Sequence, residues 1–212
     1  MARKRLNREE SRAQTRQSLL AAAAKVIAKR GVGGTSVEHV AAEAGYTRGA
    51  FYSNFKGKDD LFIELLRHDH AEMMQTFNEL FVDAASIDEL SLRLRALYGQ
   101  IFRNNDHCLL WMEARLHAVR HTNFRTRLNQ LIDENRQHIT NFIERYHALT
   151  GKPPVLPPRE LAIGLMALAE SIKFAHMVDP QEIDDGVANR VLEVFFDAVT
   201  KATPPTGVAH AR

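Results

Sequence analysis

Apolar residues recur along the chain at spacings of three and four, and no segment alternates apolar and polar positions long enough to indicate a β-strand. This spacing is typical of amphipathic α-helices, so we expect an all-α protein with about nine helices. The first expected helix covers residues 12–30, and Gly31 follows it, where a left-handed helix end favours glycine. Its apolar face consists of Leu19, Leu20, Ala23, Val26 and Ile27.

Two short helices are expected next. Thr35 and Glu38 fit a capping box that starts a helix ending near Ala44. The segment Gly45-Tyr46-Thr47 fits a tight turn, and Thr47 is suited to cap a third helix that runs to about Phe55. Two helices joined by a three-residue turn with a glycine have the layout of a helix-turn-helix, whose second helix enters the DNA major groove.

The remaining pattern predicts longer helices. Capping signals are Ser86 with Glu89, and Thr122. The expected helices cover residues 58–83, 87–103, 107–119, 123–149, 158–178 and 181–201. Proline and glycine interrupt the pattern at residues 151–158 and again after residue 203.

These elements predict a small N-terminal three-helix domain followed by a larger helical domain. We expect a flexible basic arm at residues 1–10, a helix-turn-helix DNA-binding domain at 11–57, a larger helical domain at 58–202, and a disordered tail at 203–212.

Charge is divided unevenly along the chain. The 212 residues contain 28 Lys and Arg against 26 Asp and Glu, a formal net charge of +2. Residues 1–58 hold 12 basic and 4 acidic residues, whereas residues 59–212 hold 16 and 22. Because the location of charge matters more than its sum, a basic segment with a net charge of +8 indicates a polyanionic partner.

Cys108 is the only cysteine, which excludes an internal disulfide and a thiolate zinc cluster. No run of 18 consecutive apolar residues occurs, and the start of the chain lacks the apolar region of a signal peptide. We therefore expect a cytoplasmic protein with no membrane partner.

The segment VEHVAAEAGYTRGAFYSNFKGKDDLF at residues 37–62 resembles the DNA-binding signature of the TetR family of transcriptional regulators. The family pattern ends in a Tyr, an aromatic residue, a Lys and an apolar pair, which correspond here to Tyr52, Phe55, Lys58, Leu61 and Phe62. The resemblance covers about residues 12–62. It implies a helical ligand-binding and dimerisation domain in the remainder, without identifying an effector.

The resemblance implies that Tyr52 and Lys58 contact DNA phosphates, with Thr35 and Thr47 donating at helix N-termini. Arg48 is our candidate for base readout, because a guanidinium matches the O6 and N7 acceptors of guanine. The full candidate DNA-binding set is Thr35, Ser36, Thr47, Arg48, Gly49, Ala50, Tyr52, Ser53 and Lys58.

Structural alternatives remain open for these residues. Arg48 and Lys58 could be solvated charges at helix ends, and Tyr52 could serve only in packing. The N-terminal arm either reaches DNA or keeps the protein soluble, and its basic residues are Arg3, Lys4, Arg5 and Arg8.

The last two expected helices are apolar on more than one side, so we predict that they pair with a second copy as a four-helix bundle. The alternative is that one face packs on the preceding helices. The predicted interface consists of Leu161, Leu165, Leu168, Ile172, Val187, Val191, Phe195 and Val199.

Aromatic and apolar residues in the larger domain suggest a ligand pocket, as the resemblance also implies. Taken singly, each of them fits a core position better than a ligand contact, because any helical bundle needs aromatic residues at this spacing. The candidates are Phe102, Trp111, Met112, Leu116, His117, Asn141, Phe142, Tyr146, Met166, Phe174 and His176.

The main hypothesis is a one-component regulator, most simply a repressor, that binds a pseudo-palindromic operator as a homodimer. A small apolar or amphipathic ligand would release it. We expect no cofactor and no enzymatic activity. One rival is a metal-dependent hydrolase that uses Glu113, His117 and His121, which share a helical face. The other is a DNA-binding protein without an effector.

Overall fold

The computed structural model describes residues 7–79, 89, 92–93 and 105–201. Within these residues all regular secondary structure is helical, as the hydrophobic spacing predicts. The helices are α1 (Arg8–Arg30), α2 (Val37–Glu43), α3 (Arg48–Tyr52), α4 (Lys58–Glu79), α5 (Asn105–Arg120), α6 (Thr122–Thr150), α7 (Pro158–Val178) and α8 (Asp185–Lys201).

The chain packs as two compact units that do not follow chain order. The first unit comprises Met1–Ala71 and Leu109–Leu131, and the second comprises Glu72–Cys108 and Ile132–Arg212. Helices α4, α5 and α6 each contribute residues to both units. The domain boundary expected between residues 57 and 58 does not coincide with a boundary of either packing unit. It stays a proposal about function.

The first unit has a core formed by α1 and the helices packed on it. The five residues predicted for the apolar face of α1 are all buried, as are Val40 and Ala41 of α2. Phe62 of α4 stacks on Phe124 of α6 with ring centroids 5.3 Å apart. These buried residues form the apolar core of the first unit, which also contains α3.

Helix α1 begins earlier than the sequence indicates. Asn7 caps it by accepting from the Glu10 amide at 2.8 Å, while the Glu10 carboxylate accepts from the Asn7 amide at 2.7 Å. This capping box makes residues 8–10 helical, so the expected flexible arm is wrong at these positions. Residues 1–6 lie outside the described part of the chain.

The capping box of α2 is shifted by one residue from the prediction. Ser36 and His39 form it, each side chain bonding to the other's backbone amide. Thr35 is instead buried, with its hydroxyl donating to the Gly31 carbonyl at 2.7 Å. Because the Thr35 hydroxyl is buried and bonds to the Gly31 carbonyl, the half-buried Ser36 caps the helix instead.

Three further boundaries differ from expectation. Helix α3 ends at Tyr52 instead of Phe55. Thr122 is the first residue of α6, and the amide of Arg125 donates to the His121 carbonyl. Helix α8 starts at Asp185, four residues later than expected. Its start is capped by the Asp184 carboxylate, which accepts from the Val187 amide at 2.7 Å.

Some predictions fall outside the described residues. These include the capping residue Ser86, most of the helix expected at 87–103, and the tail at 203–212. Glu89, Leu92 and Arg93 are described and are helical.

The second unit contains the last two helices, which pack on each other. Tyr146 of α6 meets Phe196 of α8 edge to face, with ring centroids 6.0 Å apart. Among the described residues, α7 is the one helix long and apolar enough to cross a membrane by length and composition alone. Such a helix is weak evidence for a membrane protein, so the expected absence of a membrane partner stays a prediction.

Candidate nucleic-acid interface

Helix α3 is held from behind by aromatic packing. Phe51 and Phe55 are buried, and their ring centroids lie 5.7 Å apart. Arg16 of α1 lies with its guanidinium carbon 4.4 Å from the centre of the Phe55 ring and donates to the Asn54 carbonyl at 2.8 Å. Arg12 donates to the Ser53 carbonyl at 3.2 Å. Two arginines therefore satisfy carbonyls after the end of α3, which fixes this short helix on α1.

The turn before α3 directs its start toward solvent. Gly45 has a φ of +73°, a conformation that favours glycine. Thr47 caps α3 by accepting from the Ala50 amide at 3.2 Å. The exposed candidates on this helix and its ends are Thr47, Arg48, Gly49, Tyr52 and Ser53, and Ala50 is half-buried. The predicted outward face of α3 is therefore available to a partner.

Arg48 has two neighbours that the sequence interpretation did not assign. Its Nη1 lies 3.1 Å from Glu38 Oε1, and its guanidinium carbon lies 5.5 Å from the centre of the Tyr52 ring. Hydrogen bonds from its own backbone and from Ser36 hold the pKa of Glu38 below its usual range, with a smaller contribution from Arg48. An ionised carboxylate and an aromatic face thus restrict where the Arg48 guanidinium points.

The other candidate phosphate contacts differ in accessibility. The hydroxyl of Thr35 is occupied within its own turn, whereas Ser36 is half-buried at the start of α2. Lys58 is half-buried and its Nζ donates to the Val32 carbonyl at 3.0 Å. An ammonium has three donor hydrogens, so this bond leaves donors for a phosphate. All DNA contacts of these residues stay predictions.

The candidate pocket residues are divided between the two packing units. Trp111, Met112, Leu116 and His117 belong to the first unit, and Trp111 is buried with its Nε1 donating to Asp69 Oδ2 at 2.7 Å. The candidates in the second unit are Asn141, Phe142, Tyr146, Met166, Phe174 and His176. Phe102 lies outside the described residues. The grouping of all these residues around one ligand therefore remains a prediction.

Burial within each group varies. Phe142 and Tyr146 are buried, whereas Asn141, Leu116 and Phe174 are exposed. His176 Nδ1 lies 2.6 Å from the Ile183 carbonyl oxygen, so this ring bonds to the loop before α8.

A buried lysine, which the sequence interpretation did not select, lies in the second unit. Lys173 of α7 is 5% exposed and donates to Asn105 Oδ1 at 2.6 Å. Burial lowers the pKa of Lys173, while Cys108 and Asp185 act in the opposite direction. Position 173 follows an apolar run of α7, and this offers no sequence signal for a buried charge.

The predicted dimer residues also differ in exposure. Leu161 is buried within its own chain, which favours the alternative of internal packing at this position. Phe195 is 52% exposed, and the half-buried candidates are Leu165, Leu168, Ile172, Val187 and Val191. The side chain of Val199 lies outside the described residues. Larger exposed fractions occur at Val178 (69%) and Val194 (66%), which the prediction omitted.

The three candidate metal ligands have other partners. Glu113 accepts from the Val32 amide at 2.9 Å, and His117 Nε2 lies 2.9 Å from Asp59 Oδ1. The ring of His121 lies 4.0 Å from that of His117, centroid to centroid. No group of three or more His, Cys, Asp or Glu that could hold a metal occurs among the residues described.

The comparisons with known proteins agree with this geometry. Residues 19–65 match the family model described as bacterial regulatory proteins, tetR family. The chain is 45% identical over 65 residues to the HTH-type transcriptional regulator AcrR of Shigella flexneri, an alignment that covers 31% of this chain and 29% of that protein. It is 28% identical over 142 residues to the HTH-type transcriptional repressor AcnR of Corynebacterium efficiens, covering 63% of this chain and 74% of that protein.

The fold of the whole chain resembles solved structures as well. The transcriptional regulator FadR of Bacillus subtilis, in complex with stearoyl-CoA, has a TM-score of 0.71 and 18% sequence identity. The likeness covers 86% of this chain and 98% of that one, and it shows the fold alone. Because the chain spans less than a third of its AcrR relative, the resemblance is specific only for the N-terminal domain. AcrR is named as a transcriptional regulator and AcnR as a transcriptional repressor, which agrees with the expectation that the chain is not an enzyme.

Proposed function

We propose that the chain is a transcriptional repressor of the TetR family of bacterial regulatory proteins, whose family model its residues 19–65 match. It binds a pseudo-palindromic operator as a homodimer and is released by a small apolar or amphipathic molecule. The observation that carries the proposal is the exposed polar face of α3 on a closed apolar core, with Arg48 held by Glu38 and Tyr52. A repressor acts where the DNA is, so we expect it in the cytoplasm.

Sequence reading is assigned to Arg48. The Arg48 guanidinium pairs with Glu38 through one nitrogen, and its other N–H groups can make the bidentate bonds that guanine O6 and N7 accept. Tyr52, Thr47 and Lys58 are assigned to phosphate oxygens, which fix the position of α3 in the major groove without reading sequence. The net charge of +8 over residues 1–58 supports a polyanionic partner.

Dimerisation is assigned to the exposed apolar residues of α7 and α8. Single exposed apolar side chains are common on soluble proteins, but here several large ones lie on two consecutive helices. They are Ile163, Phe174, Val178, Val194 and Phe195. A second copy of the chain presents the same surface and can cover them in an isologous interface.

Release by a ligand follows from linkage. A ligand that favours a conformation with wrongly spaced α3 helices lowers DNA affinity by the ratio of its affinities for the two states. Helix α4 is the proposed lever, because it starts at the helix-turn-helix and contributes its last residues to the second packing unit. The stearoyl-CoA in the similar FadR structure makes a long-chain acyl-CoA a reasonable first ligand to test.

Selection of binding sites from random DNA duplexes tests the proposal. Purified full-length chain should enrich a pseudo-palindrome whose half-site centres are about one helical turn, 10–10.5 base pairs, apart. Acyl-CoA or another amphipathic ligand should then lower the affinity for that duplex. No enrichment, together with steep salt dependence, would contradict operator recognition and favour a DNA-binding protein without sequence preference.

A further inference from the structure

The turn that follows α1 is held from two sides at one residue. The Val32 amide donates to Glu113 Oε2 of α5 at 2.9 Å, and the Val32 carbonyl accepts from Lys58 Nζ of α4 at 3.0 Å. Val32 itself is 1% exposed. Both backbone polar groups of this buried residue are therefore satisfied by charged side chains of other helices, and such bonds are stronger than neutral ones.

The Glu113 carboxylate lies closely against this turn. Gly31 has a φ of +65°, and a Cβ atom at this position would lie 3.0 Å from Glu113 Oε1. The glycine thus permits both the left-handed backbone and the approach of the carboxylate. The hydrogen bond between Val32 and Glu113 joins residues 81 positions apart, so it forms only in the folded chain.

The same turn starts α2. The Thr35 hydroxyl donates to the Gly31 carbonyl, and the Thr35 amide donates to the Val32 carbonyl at 3.3 Å. The next residue, Ser36, caps α2. The position of Val32 therefore determines where α2, and α3 after it, leave the core.

Two further contacts join α4 to the segment that contains Glu113. His117 pairs with Asp59 and is only 10% exposed, while Arg127 of α6 donates to Asp60 Oδ1 at 2.9 Å. Burial tends to raise the pKa of Asp60, but hydrogen bonds from the Lys56 amide and from Arg127 outweigh it, so the pKa lies below its usual range. Side-chain contacts therefore join α4 to both α5 and α6 close to this turn.

We propose that Glu113 is a positioning residue for DNA recognition, because its carboxylate fixes the Gly31–Val32 turn from which the helix-turn-helix starts. The inference rests on the proposed DNA-binding function and extends it to a helix far away in sequence. The first four residues of α5, Asn105–Cys108, pack with the second unit. A shift of α5 along its axis would therefore stretch the bond between Glu113 and Val32 and change the direction of α3.

If the charge of Glu113 alone matters, Glu113→Ala should change DNA affinity in one direction. If Glu113 positions the turn, the affinity should change in the other. Removing a negative charge from a DNA-binding module should strengthen binding if the charge alone matters. Loss of a hydrogen bond to a charged group should weaken binding about tenfold if Glu113 positions the turn. The direction of the effect on operator affinity thus separates the two.

The experiment compares Glu113→Ala and Glu113→Gln with Glu144→Ala, which removes the same charge from an exposed position on α6. Operator affinity is measured by fluorescence anisotropy at several salt concentrations, at a temperature where melting curves show every variant folded. Amide hydrogen exchange at Val32 is followed in parallel. If Glu113→Ala melts below that temperature, Glu113→Asp, which withdraws the carboxylate, replaces it.

We expect Glu113→Ala to bind the operator about tenfold more weakly with an unchanged salt slope, and its Val32 amide to exchange faster. Glu113→Gln should retain most of the affinity because its amide oxygen can accept the same bond, and Glu144→Ala should bind like the wild type. Unchanged or tighter binding by folded Glu113→Ala would overturn the inference, as would equal losses for Ala and Gln. If the wild type binds no operator, the proposed function fails and the inference fails with it.

Discussion

The core around α3 and the last two helices, α7 and α8, differ in how far their aromatic side chains are buried. In the first unit, Phe51, Phe62 and Phe124 are at most 1% exposed, and the outward face of α3 is polar. In the second unit, Phe174 and Phe195 are about half exposed on consecutive helices. The polar face of α3 needs no apolar cover and suits a charged partner in water. The exposed apolar face of α7 and α8 instead gains stability when another apolar surface covers it. This difference supports our proposal that the first unit recognises DNA and the second pairs with another copy.

Truncation of a core aromatic residue should have the largest effect and be confined to the first unit. Phe51→Ala should lower the free energy of unfolding by about 3–5 kcal/mol, because it removes a fully buried ring that holds α3. Urea denaturation at fixed protein concentration measures the change. The matched control, Phe195→Ala, should shift the same free energy by much less when the chains are monomeric. Equal losses would mean that the two units are not packed differently.

A charge on the exposed apolar face should separate the copies. Phe195→Glu places a carboxylate twice in an isologous interface, so sedimentation should show monomers where the wild type forms dimers. Operator affinity should fall at least about 100-fold, because the second half-site is no longer engaged by the same particle. Leu149→Glu, at a 62% exposed position of α6, is the control and should leave the dimer intact. A dimeric Phe195→Glu variant would refute the assignment of pairing to this face.

Replacement of the readout residue should affect one operator position. Arg48→Ala should cost about 1–3 kcal/mol at one base pair in each half-site and relax discrimination there. A substitution of Glu38, the ion-pair partner of Arg48, tests the same assignment more finely. Glu38→Gln keeps the size of the side chain but removes the charge that pairs with Arg48. That variant should lose part of the same discrimination. Uniform weakening on every operator variant would mean that Arg48 contacts only phosphate.

The smallest expected effect concerns Lys58. Lys58→Gln should reduce the slope of log affinity against log salt by about one phosphate contact. An unchanged slope with weaker binding would mean that Lys58 serves only to hold the Val32 carbonyl. Fluorescence anisotropy at four or five salt concentrations distinguishes these results.

The sequence predicted the parts of the fold that depend on local periodicity. The apolar face of α1, the burial of Phe51 and Phe55 and the extent of α7 all follow from spacings of three and four residues. Helix starts were less predictable, because neighbouring residues such as Thr35 and Ser36 can both cap a helix and burial decides between them.

Contacts between distant residues could not be predicted from one sequence. Glu113 and His117 share a helical face, and this was correctly recognised. A shared face does not reveal the partners of these residues, which in the structure are Val32 for Glu113 and Asp59 for His117. Glu38 was likewise missed as a partner of Arg48, because the two residues lie ten positions apart on different helices joined by a turn.

The central claim is that paired copies present two α3 helices at a fixed spacing, and a change of operator spacing tests it most directly. Affinity of the full-length chain is measured for the selected operator and for duplexes with about five and about ten base pairs inserted between the half-sites. The account predicts a loss of at least about 100-fold for the half-turn insertion, because one α3 then faces the wrong side of the DNA. Equal affinity for the original and the half-turn duplex would contradict it.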